Sequence, residues 1–129
     1  VLHLLLSWPV RLLVFLTCLA GLSYGLFRPQ PPPDLFGHSD KWMHLCAFLV
    51  FACCARLAFL RCTSAWLWGL LLCSGPLLEY LQQLLQPARV FSSADAVANV
   101  AGVLLAWLLW FWVDRPLRVK VFGGKVIDG

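Results

Sequence analysis

Apolar residues in this chain gather into four long runs, and most of the few polar side chains collect at the ends of those runs or between them. The runs cover about residues 8–27, 41–60, 65–85 and 94–113. At about 1.5 Å of rise per residue, about 20 residues match the roughly 30 Å hydrocarbon core of a bilayer, so each run predicts a membrane-spanning helix. The second and third fit less cleanly because their ends are polar. The pattern predicts an all-α integral membrane four-helix bundle, a single domain of 129 residues, with 114–129 as a tail.

Local signals refine this picture. Gly21 and Gly25 form a GxxxG pair in the first run, a spacing that permits close helix contact. A cleaved signal peptide is the competing reading of that run, but a proline-rich segment follows it rather than a small-x-small cleavage site. Pro29, Pro31, Pro32 and Pro33 make residues 28–39 an extended connection. Ser39 or Asp40 is placed to cap the second helix. Residues 61–64 form a tight connection, so the second and third runs are expected to make an antiparallel hairpin. Pro76 is a candidate kink inside the third. In the fourth, Ala94, Ala98, Gly102 and Ala106 recur every four residues and predict a small-residue contact face. Trp107, Trp110 and Trp112 predict an aromatic belt near its far end.

Composition agrees with a membrane and excludes an ordinary water-soluble globule. Hydrophobic residues make up 61%, charged residues only 12%, and the mean hydropathy is +0.82. So little charge cannot cover a soluble surface. The net charge of +4 comes from scattered basic residues that border apolar runs, so it reads as a topology signal and not as a nucleic-acid footprint. With four spans, one side holds Arg11, Arg56, Arg61, Arg115, Arg118, Lys120 and Lys125, and the other holds Arg28, Lys41 and Arg89. The positive-inside rule therefore predicts both termini in the cytoplasm. The six cysteines show no CxxC pair or metal-ligand spacing and read as reduced, small apolar packing residues. The chain opens on Val1 and not Met, which reads as an alternative or trimmed start.

The polar positions carry the candidate chemistry. Lys41 and His44 are three apart on the second helix; Glu79 and Gln83 are four apart on the third; Asp95 and Asn99 are four apart at the start of the fourth. Each pair shares a helix face. Arg89 lies in the loop before the fourth helix, and all seven fall on the outward side of the predicted topology. Ionisable groups at membrane depth are costly, so this cluster is a functional-site hypothesis. Glu79 and His44 lie far enough inside their runs to need partners; Lys41 or Arg89 is the cation expected for Glu79. Bland alternatives remain: Asp40 as a cap, Ser92-x-x-Asp95 as a capping arrangement, Gln82 and Gln86 as interfacial residues, and a purely structural ion-pair network. No HExxH or other recognisable metal signature is present, and no cofactor is implied.

Asp40-Lys41-x-x-His44, Glu79-x-x-x-Gln83, Arg89, Ser93-x-Asp95 and Asn99-x-x-Gly102, taken in order, resemble the VanZ-like family of small membrane proteins over about residues 40–106. The prototype of that family is associated with resistance to the glycopeptide teicoplanin. The resemblance implies a multi-pass protein of the bacterial cytoplasmic (inner) membrane, with positions 41, 44, 79, 83, 89, 95 and 99 as its shared polar set. Three functional classes follow. The site binds or modulates an envelope component, such as an anionic lipid or cell-wall lipid precursor held by Lys41 and Arg89. Or His44 and Glu79 perform acid–base chemistry on a lipid-linked substrate, although no obvious nucleophile accompanies them. Or the chain is a structural subunit, as a homo-oligomer or within a membrane complex. Four short spans leave little room for a transport path.

Overall fold

The computed structural model describes residues 6–29 and 37–123, with the backbone alone at 115, 118, 121 and 122. Four helices account for nearly all of it: α1 (Trp8–Phe27), α2 (Ser39–Ala58), α3 (Ser64–Leu85) and α4 (Ser93–Phe122). Three are long and apolar enough to cross a membrane: α1, α2 and the Ser93–Asp114 part of α4. The third helix is long enough at 22 residues, but Ser74, Gly75, Glu79, Gln82 and Gln83 dilute its apolar character. It still runs beside the Ser93–Asp114 part of α4. Its start lies beside Trp110 and Asp114, and its Glu79 reaches the first residues of α4. The prolines predicted at 31–33 and the tail at 124–129 lie outside the described residues.

Helix ends follow local chemistry. The cap of α4 is as expected, with the Ser92 hydroxyl accepting from the Asp95 N–H at 3.2 Å. The start of α2 is not. Ser39 and Asp40 are already helical, His38 precedes them in the left-handed region at φ 61°, and no side chain caps the end. Asp40 instead sits in the first turn, where a carboxylate suits the positive helix terminus. The apolar span of α4 ends at Asp114, yet the helix continues to Phe122 where a tail was expected. Gly123 then stops the helix at φ 63°, its N–H bonding the Val119 carbonyl, a conformation in which only glycine avoids a Cβ penalty.

Packing does not follow chain order. The most extensive interface joins α2 to α4; α1 packs on α2, α3 packs on α4, and α2 and α3 barely touch despite their tight connection. The predicted hairpin is therefore antiparallel but not a packed pair. Gly102 explains the central interface, because a Cβ there would collide with the Leu45 carbonyl oxygen and lie 2.9 Å from the Leu49 nitrogen. Ala52, Ala55 and Ala106 extend this close approach of two backbones. Asp95, Asn99, Gly102, Ala106 and Trp110 all lie buried along α4, so of the predicted contact face Gly102 and Ala106 are buried, Ala98 is half-buried and Ala94 is exposed. Trp110 likewise turns into the core, leaving Trp107 and Trp112 exposed.

Phe15 docks α1 by packing against Phe51 and Phe59, with ring centroids at 5.8 and 5.2 Å. Cys18 and Cys54 bring their thiols into contact at the same interface, and all six cysteines are free. Gly21 and Gly25 do not serve this packing, since a Cβ at either would meet nothing within 4 Å.

Candidate functional site

Each end of the bundle buries charge. At the end formed by the close of α2 and the start of α3, Arg56 has no solvent exposure, and its Nη2 donates to Asp114 Oδ1 at 2.9 Å. Its Nη1 reaches the carbonyls of Phe59 and Cys62, both at 3.4 Å, in the turn that leads to α3. Arg11 is also buried there and donates to the Leu57 carbonyl at 2.8 Å. A cavity of about 620 Å³ opens beside the pair, walled by Trp68, Trp107 and Trp110. In the sequence Arg56 read only as a topology charge; its place within an apolar run was the signal that it needed a partner.

The opposite end holds the predicted cluster, centred on Asp95. Lys41 Nζ forms an ion pair with Asp95 Oδ1 at 2.6 Å and donates to Asp40 Oδ2, also at 2.6 Å. His44 Nε2 faces Asp95 Oδ2 at 3.7 Å, an ion pair when the ring is doubly protonated. Its Nδ1 lies 2.9 Å from Asn99 Oδ1. Asn99 is fully buried, and its Nδ2 donates to the Gly75 carbonyl at 3.4 Å. A carbonyl only accepts, so this contact fixes the amide orientation and makes His44 Nδ1 the donor to Asn99. The network ties α2 to α4 and, through Asn99, to α3. Gly75 allows that contact, because a Cβ on it would stand 3.0 Å from the Asn99 Cβ.

Glu79 lies against the start of α4 and is only 4% exposed. Its Oε1 accepts from the Ser92 N–H at 3.2 Å. In a capping box the residue three places into the helix takes that N–H. Here α3 supplies the acceptor, which leaves the Asp95 carboxylate for Lys41 and His44. Neither Lys41 nor Arg89 pairs with Glu79, so the expected neutralising cation is absent among the described residues. The Arg89 side chain, half-buried in the loop, has no hydrogen bond or ion pair with another described residue.

Gln83 is exposed and stands outside the network. The inward stripe of α3 runs through Gly75, Glu79, Gln82 and Gln86, so the glutamines read as interfacial are the engaged ones. Gln82 Nε2 donates to the Leu26 carbonyl, and Gln86 Nε2 donates to those of Phe27 and Arg28 at 2.9 and 3.1 Å. They satisfy the bare carbonyls at the end of α1, a need no spacing in α3 displays. Lys41, His44, Asp95 and Asn99 thus form one bonded set, Glu79 joins it through Ser92, and Arg89 and Gln83 stay apart.

Among the described residues, no group of three His, Cys, Asp or Glu side chains is placed to hold a metal ion. Fold and site together define an all-α chain of membrane-spanning composition that buries a polar network at one end. No family model matches it, and neither a curated protein nor a solved structure does.

Proposed function

We propose that this chain is a four-span protein of the VanZ-like type in the bacterial cytoplasmic membrane, with both termini in the cytoplasm, and that its outward polar network binds or modulates a cell-envelope component. The observation that carries this reading is the Lys41–Asp95–His44–Asn99 set, which gathers costly groups from separate helices at one end of an apolar bundle. Four spans are favoured because α3 runs beside α4 for its whole length and turns Glu79 and Gln82 toward its neighbours.

Binding is favoured over catalysis. His44 Nδ1 is engaged with Asn99, and its Nε2 stands 3.7 Å from the Asp95 carboxylate with no serine or cysteine nucleophile bonded to it among the described residues. An anionic lipid or lipid-linked precursor would find Lys41 held between two carboxylates, so its phosphate would look to Arg89.

Complementation tests the site. A strain lacking the protein would be supplied with wild type, Arg89→Ala or Asp95→Asn, and compared for growth and glycopeptide sensitivity at matched membrane abundance. Rescue by wild type and failure of the equally abundant variants is expected. Rescue by all three would reduce the network to a structural lock, the reading that makes the chain a subunit. Topology has its own check. Cys62, exposed in the α2–α3 turn, is expected to react with a membrane-impermeant maleimide only in inverted vesicles. Labelling in intact cells would reverse the orientation.

A further inference from the structure

Of the carboxylates at this end, Glu79 is the one with no cation partner among the described residues. Lys41 is taken by Asp40 and Asp95, and His44 faces Asp95 as well. Glu79 Oε1 has the Ser92 N–H, but its Oε2 is buried with no described donor in reach. Gln86 Oε1, two turns further along the same α3 stripe, is buried and undonated as well. Asp95 Oδ1, by contrast, is met by Lys41 at 2.6 Å. A carboxylate oxygen left bare in a low-dielectric setting is expensive. Glu79 Oε2 is thus without a donor among the described residues, and the last turn of α3 holds no basic residue to offset its negative helix end.

We propose that the bare carboxylate oxygen of Glu79 is the binding site for a primary ammonium group. An ammonium offers three donors and a positive charge, which answers a bare carboxylate oxygen, whereas a phosphate would add acceptors where acceptors are already in excess. The inference rests on the outward binding site proposed above and names its ligand chemistry. The group has two sources, the headgroup of an aminophospholipid or a soluble amine. In the first case the adjoining phosphate would lie toward Arg89, three residues before Ser92.

Native mass spectrometry of the detergent-purified full chain tests this. The probes are phosphatidylethanolamine, its N-acetylated form, phosphatidylglycerol and free ethanolamine. Phosphatidylethanolamine is expected to be retained about tenfold better than its N-acetylated form or phosphatidylglycerol, the scale of one charge-assisted contact. Glu79→Gln, which keeps an oxygen for the Ser92 N–H, is expected to abolish that preference. Competition by millimolar ethanolamine would assign the site to amines in general, and its failure to compete would assign it to the lipid. Equal retention of the acetylated lipid by wild type overturns the proposal, and needs no variant to fold. So does an undiminished preference in Glu79→Gln. Should Arg89→Ala and Asp95→Asn still fail to complement while no ammonium preference exists, the outward site stands and only this ligand class falls.

Discussion

Gly102→Leu is expected to abolish the folded bundle. A side chain at that position meets the backbone of α2 at Leu45 and Leu49, and backbone cannot move aside as a flexible side-chain tip can. Helices α2 and α4 would have to separate along the interface that organises the other two. Overpacking a well-fitted interior usually costs about 1–3 kcal/mol, and a direct backbone collision belongs at or above the top of that range. The loss would extend beyond stability, because the same separation pulls His44 away from Asn99. Thermal melting and size-exclusion profiles of the detergent-purified variant provide the check, with Gly21→Leu as control. Gly21 has open space around its Cβ direction, so that variant should melt like wild type. Wild-type melting of Gly102→Leu would mean that the two backbones do not approach as described.

The second large effect is expected at the other end. Asp114→Ala removes the carboxylate 2.9 Å from a guanidinium that is wholly enclosed. Breaking a buried pair by deleting one partner costs about 3–5 kcal/mol, and the partial exposure of Asp114 places this case near the lower figure. Arg56→Met with Asp114→Ala is expected to recover most of the loss, since an apolar side chain of similar length needs no counter-charge. The recovery should be incomplete, because Arg56 also reaches the Phe59 and Cys62 carbonyls in the turn before α3. Reversible unfolding in mixed micelles, run as a double-mutant cycle, gives the coupling. Additive losses would show that the pair is not coupled in the folded protein.

Glutamine positions on α3 show why part of the site was legible and part was not. Spacing from Glu79 admits Gln82 and Gln83 almost equally, since three and four residues on both lie near the same face. What separates them is the end of α1, whose carbonyls draw in Gln82 and Gln86 and leave Gln83 exposed. The three tryptophans of α4 pose the same problem. Each is compatible with an interfacial belt, and only packing against neighbouring helices decides that Trp110 is interior. Asp95, in contrast, was marked twice, by its place in a capping pattern and by its spacing from Asn99, and the structure uses it in both ways.

By itself the sequence determined the helical class, the extents of α1 and α3 nearly to the residue, the small-residue contact at Gly102 and Ala106, and the convergence of Lys41, His44, Asp95 and Asn99. These properties depend on local periodicity and on the cost of leaving charge in an apolar run, both of which are written along one chain. Only the tertiary structure decided that α2 pairs with α4 and not with its neighbour α3, that Lys41 answers Asp95 and not Glu79, and that Arg56 closes on Asp114. Those outcomes depend on which backbones approach most closely, and close approach is a property of two surfaces at once.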